Sequence, residues 1–200
     1  MGPEGTIAGP RVTDVQDHPV ALPSGALPRL RVARLFISTA ADTDFVDITQ
    51  CCFDMIERHK PNHGNLLVFT RHTTCGLTIN EDEEGYQEDV RTTVERLTPR
   101  DRYWAHDDLD RRWQNLTPDE RPNGHSHVRA MLVGNPSITI PIVDGELALG
   151  RWQRLFLVEL DGGRDREVVL QMFSIDHPEG EEEFHMSVQD QPAQEPEIHR

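Results

Sequence analysis

Lysine is almost absent from this chain of 200 residues: Lys60 stands alone against nineteen arginines. Positive charge is short overall, with 35 acids against 20 bases and a net charge of −15. A surface of that sign repels phosphate backbones and argues against nucleic acid as the main partner. A small anionic substrate stays compatible, because a local arginine cluster or a metal ion can invert the field inside a cleft. Cysteine is scarce too. Of three, Cys51 and Cys52 are adjacent and Cys75 stands apart, which offers no disulfide framework and no zinc or redox spacing. That usage fits a reducing, cytoplasmic setting. No run of about 18 apolar residues is present, so no membrane span is expected. The first residues lack the basic-then-apolar order of a secretory signal. A nucleotide P-loop, a dinucleotide fingerprint and a Gly-x-Ser-x-Gly elbow are likewise missing.

Apolar residues make up only 36% of the chain, and part of the shortfall lies at its two ends. Residues 1–29 are rich in Gly, Pro and Ala without a sustained period, which predicts a flexible extension. Residues 176–200 hold eight acids and one arginine and cannot bury a core, which predicts a disordered acidic tail. Residues 30–175 are enough for one domain with a core of its own.

Within that domain the apolar period changes repeatedly. Imperfect alternation predicts a strand over 30–38. Phe45, Ile48, Cys52, Met55 and Ile56 then fall at helical spacing, which predicts a helix over 41–59 capped by Thr43 or Asp44. Pro61–Gly64 reads as a turn, and 65–69 as a buried strand. Leu77 and Ile79 alternate with Thr78 and Asn80, as in an extended segment. A second helix is expected over 86–97, with Tyr86, Val90, Val94 and Leu97 on its buried face. Residues 98–124 are long and irregular, as functional loops often are, and 111–122 reads as a surface excursion. A short helix over 128–132 follows, then strands over 137–143, 151–160 and 166–174 with turns at Asp144-Gly145 and Asp161–Arg164. The order predicts an α+β domain, a mostly antiparallel sheet or sandwich with two main helices and one short helix.

Chemistry concentrates where the apolar runs end. Residues 71–81 place an imidazole, three hydroxyls, a thiol, an amide and a carboxylate just beyond the buried strand. Thr73, Thr74 and Thr78 could hold phosphate oxygens, or could simply be β-favouring residues at a strand edge. Cys75 beside Gly76 reads as a packing thiol rather than a nucleophile. His125 and His127 form a His-x-His pair. On an extended segment both rings would face one ion; on a helix they would diverge. With His106 and Asp107 they make a ligand set suited to zinc or manganese, and otherwise a set of hydrogen-bonding groups in a polar groove. Arg71, Arg129, Arg151 and Arg154 are candidate cationic contacts to phosphate.

The motifs taken together resemble the YjbQ-like family, also labelled secondary thiamine-phosphate synthase. They run from His72 to Glu81 (His-Thr-Thr-Cys-Gly-Leu-Thr-Ile-Asn-Glu), then Trp104–Asp107, then Ser126–Gly134, then Leu149–Gln153, in family order. The resemblance implies a compact α+β homotrimer with a polar cleft built from these motifs, in which the histidines suggest a divalent metal: zinc, manganese or magnesium. It implies the joining of a hydroxymethylpyrimidine diphosphate to a thiazole phosphate with release of pyrophosphate; the alternatives are a non-catalytic metal- or anion-binding trimer and a metal-dependent hydrolase. Carried over position by position, His72, His106, His127, Asn80, Glu81 and Trp152-Gln153 match the family's motifs, and read for chemistry His72, Thr74, Asn80 and Glu81 are the candidate catalytic residues. His106, Asp107, His127 and, more weakly, His125 would hold the metal. Thr73, Arg129, Arg151 and Gln153 would meet phosphate. Cys75 and Arg151 depart from the common family residues, and the loop between Asp108 and His125 is longer than usual.

Overall fold

A computed structural model describes residues 24–25 and 27–176 other than Asp119. Most of the expected extension and all of the tail beyond Asp176 lie outside the described residues. Pro28 and Arg29, assigned to the extension, open the first strand, and Asp176, assigned to the tail, closes the last. The element order is β1 (Pro28–Ser38), β2 (Asp44–Asp47), α1 (Thr49–His59), β3 (Pro61–Thr70), β4 (Cys75–Asn80), α2 (Glu84–Leu97), α3 (Gly124–Val133), β5 (Ser137–Val143), β6 (Glu146–Leu147), β7 (Arg154–Glu159) and β8 (Asp165–Asp176). The α+β expectation, with two main helices and a shorter third, holds.

The strands form two antiparallel sheets. The larger runs β1-β8-β3-β5-β6 and the smaller β2-β7-β4. Alternation does the sorting. Along β3 and β8 the residues Leu66, Val68, Val168, Leu170 and Met172 are buried, while their neighbours Asn65, Phe69, Gln171 and Phe173 face outward. Leu77, Leu155 and Leu157 of the smaller sheet meet them, and Cys52, Met55 and Ile56 of α1 close the same core. Strand β7 is buried on both faces. Its Phe156 and Val158 form a second cluster with Phe45, Ala130 and Val133, so α3 lies on the far side of the small sheet.

Two expected boundaries move. Residues 44–47 are a strand, not the first turn of a helix, because they pair with β7 (Phe45 opposite Val158). Phe45 and Ile48 fit either period, and the pairing decides. Neither Thr43 nor Asp44 caps α1; Thr43 has a left-handed φ of 52°, and Asp47 accepts the Thr49 N–H at 2.8 Å. There is also no turn at Pro61–Gly64. Lys60, left-handed with φ 44°, ends α1 by donating its N–H to Ile56, and Pro61 begins β3. The Asp144-Gly145 turn appears as expected, with φ of 51° and 84°.

Candidate functional site

Strands β4 and β7 set the geometry. Cys75 lies opposite Glu159 at one end of the small sheet, and Asn80 lies opposite Arg154 at the other. At the ~3.4 Å rise of an antiparallel strand, the two ends are about 17 Å apart. The motif from His72 to Glu81 therefore does not fold into one wall. It runs the length of the sheet and delivers its first half to one end and its last to the other.

At the first end, Glu159 is fully buried in a strand of apolar neighbours. It accepts from Arg166 Nε at 2.6 Å, from Thr39 Oγ1 at 2.8 Å and from the N–H groups of Leu160 and Asp161 at 3.0 and 2.9 Å. Arg166 also donates to Thr74 Oγ1 at 3.1 Å. A buried charge so surrounded is structural, since every oxygen is engaged. Thr74 thereby belongs to this internal network. Across it lies His72, whose Nε2 accepts the Glu167 N–H at 2.8 Å. That bond assigns the ring proton to Nδ1. Burial, reinforced by the Arg166 charge, holds the His72 pKa below its usual value. Thr73 is exposed in the loop between β3 and β4.

His106 and His127 meet directly, ring centroids 4.4 Å apart. Arg112 Nη1 donates to His106 Nε2 at 2.9 Å and to the His106 carbonyl at 3.0 Å, and pairs with Glu120 at 2.6 Å. Burial, then the neighbouring His106, lowers the His127 pKa. Asp107 Oδ1 accepts the N–H groups of Asn123 and Gly124, both at 2.8 Å, and so caps α3 from a distant segment. Gly124 permits this: a Cβ there would lie 2.7 Å from Trp104 Cβ and 3.1 Å from His106 Cβ.

Helix α3 begins at Gly124, earlier than expected, so His125 and His127 diverge. His125 is buried beside Ser126 Oγ at 3.2 Å, and burial followed by the Arg129 charge lowers its pKa. Arg129 is equally enclosed. It donates to Asp42 at 2.7 Å, to Thr98 Oγ1 at 2.9 Å and to the Thr98 carbonyl at 3.1 Å, and it pairs with Glu95. Little of its guanidinium is left for a phosphate.

At the far end the predicted residues are exposed. Asn80 Oδ1 accepts the Glu81 N–H at 2.9 Å. Arg151 stacks on Trp152, 4.6 Å from the ring centroid, and Gln153 Oε1 accepts the Gly150 N–H at 2.7 Å. Among the described residues no three His, Cys, Asp or Glu side chains gather as a metal site. Sequence reasoning missed Arg112, placed in a supposed surface excursion, and the Glu159–Arg166 pair. The available signal for the pair was an acid within an apolar strand.

Comparison with known proteins places these observations. The family model described as "UPF0047 protein YjbQ-like" matches residues 33–175. A UPF0047 protein of Archaeoglobus fulgidus is 39% identical over 137 residues, covering 68% of this chain and 96% of that protein. UPF0047 protein YugU of Bacillus subtilis is 30% identical, covering 69% and 96%. A crystal structure of a YbjQ-like protein of unknown function from Sulfolobus solfataricus superposes with a TM-score of 0.65 at 30% identity, covering 74% of this chain and 99% of that one.

Proposed function

Because the chain belongs to the YjbQ-like UPF0047 family, we propose that it is a transferase of the secondary thiamine-phosphate synthase type. It would condense a hydroxymethylpyrimidine diphosphate with a thiazole phosphate and release pyrophosphate. The observation that carries this reading is the His106–His127 contact with Arg112 held against it. Two adjoining imidazoles suit a divalent cation. Donor chemistry favours zinc or manganese over magnesium, which prefers oxygen ligands. The His127 ring would hold the ion, and His106 would join it only through Nε2 on release of the Arg112 hydrogen bond, with substrate oxygens completing the shell. When bound, it would offset charge on the departing pyrophosphate. Asp107 would act by fixing the start of α3, and hence His127.

Exposed Thr73 is the phosphate contact this reading favours, because Arg112, like Arg129, spends its guanidinium on internal partners: Glu120, His106 and the Gln114 and Asn115 carbonyls. Asn80, Glu81, Arg151 and Gln153 would serve from the other end of the sheet. A homotrimer is part of the same proposal. The outer face of the large sheet supports it: Leu30, Val32, Phe36, Phe69 and Phe173 are all exposed there. Among the described residues no helix is long and apolar enough to cross a membrane. The three free cysteines fit the proposed cytoplasmic setting.

The second reading is a non-catalytic metal- or anion-binding protein. The consumption of Thr74 and Arg129 in internal bonds favours it. A metal-dependent hydrolase is a further form of the enzyme reading. Bound-metal analysis of the purified protein, with a pyrophosphate-release assay on both precursors, separates them. Metal with turnover supports the transferase; metal without turnover supports the binding protein; neither overturns both.

A further inference from the structure

The small sheet is incompletely covered on its outer side. Between it and the helices α2 and α3 lies a cavity of about 200 Å³, lined by Phe45, Thr78, Tyr86, Val90, Val133 and Val158. These residues come from β2, β4, α2, α3 and β7, so the void sits where five elements meet. Its cause is visible in α2, whose buried residues number one, Val94. Tyr86 and Val90, two turns and one turn nearer the N-terminus, face the sheet without filling the space.

We propose that this cavity is a binding site for a small single-ring aromatic molecule. Three observations carry it. The lining is apolar apart from the Thr78 hydroxyl and the Tyr86 phenol, and the site is open to solvent on one side, which gives a ligand a way in. The volume suits one ring: a cavity of about 150 Å³ lined by aliphatic and aromatic side chains takes up benzene. One wall is already an aromatic arrangement. Phe45 packs edge-on against Tyr86 at 6.3 Å and 64°, and against Phe156 at 5.8 Å and 85°. A further ring can join that herringbone, since edge-to-face pairs at such distances are attractive. Thr78 adds a single hydrogen-bonding group at the sheet side. The loosely anchored α2 is the element that would give way on entry.

The site is separate from the His106–His127 pair, and failure of the pyrophosphate assay leaves it standing. The test uses p-cresol as probe on the full chain with methyl-labelled valines. Saturable shifts of the Val90, Val133 and Val158 methyl signals are expected, and Val90→Trp, which fills the cavity, should abolish them. Val133→Phe is the second filling variant should the first fail to fold. Absence of saturable shifts up to the solubility limit of p-cresol overturns the proposal. So does persistence of the shifts in a folded filling variant.

Discussion

The two ends of the small sheet are built differently. At one, charge is buried and fully paired: Glu159 and Arg166 are 0% and 4% exposed, and His72 is tied to the backbone of β8. At the other, Asn80, Glu81, Arg151, Trp152 and Gln153 all face solvent and bond mainly to their own neighbours. The stretch from His72 to Glu81 reaches both ends. The difference teaches that adjacency in a motif means a shared strand, not a shared pocket, once the strand is about 17 Å long. The rigid end offers preorganised groups; the exposed end offers groups free to meet whatever arrives.

That contrast can be broken by mutation. Glu159→Ala leaves Arg166 charged and unpaired in the interior and is expected to cost about 3–5 kcal/mol in urea denaturation. Asp107→Ala removes the acceptor for two N–H groups at the start of α3. It should cost about 0.5–2 kcal/mol and lower any metal affinity of His127. Acidification should also act on the histidine end alone. His72, His125 and His127 have folded pKa values below their ordinary one, so the unfolded chain binds more protons between the two. Their contribution is complete above about pH 6.5 and is lost as pH falls further. Melting curves at pH 7.5 and 5.5 should show a drop that shrinks in His125→Gln. Smallest, Asn80→Ala and Arg151→Ala should stay within about 0.5 kcal/mol of wild type while impairing turnover if that end meets substrate.

Much of the fold was legible because it rests on local pattern. The apolar run of β3, the alternation in β4 and β5, the hairpin at Asp144-Gly145 and the presence of α2 were readable, though Leu97, expected on the buried face of α2, is exposed. Strand β2 was not, because Phe45 and Ile48 satisfy a helical period and only the partner β7 makes the segment extended. The candidate site was legible in part. His106 and His127 could be named, but their contact depends on a loop whose course no period encodes. Arg112 was hidden in that same loop. Arg129 and Thr74 read as free polar groups because sequence shows the donors and not the buried acceptors that claim them.

The central claim is that His106 and His127 form the working site of a metal-assisted transferase. Its most direct test is pyrophosphate release from the two thiamine precursors, with zinc or manganese present, by wild type and His127→Ala of equal stability. The account predicts turnover in the wild type and a loss of at least about 100-fold in the variant. Equal rates in the two proteins, or no release by the wild type above the enzyme-free rate, would contradict it.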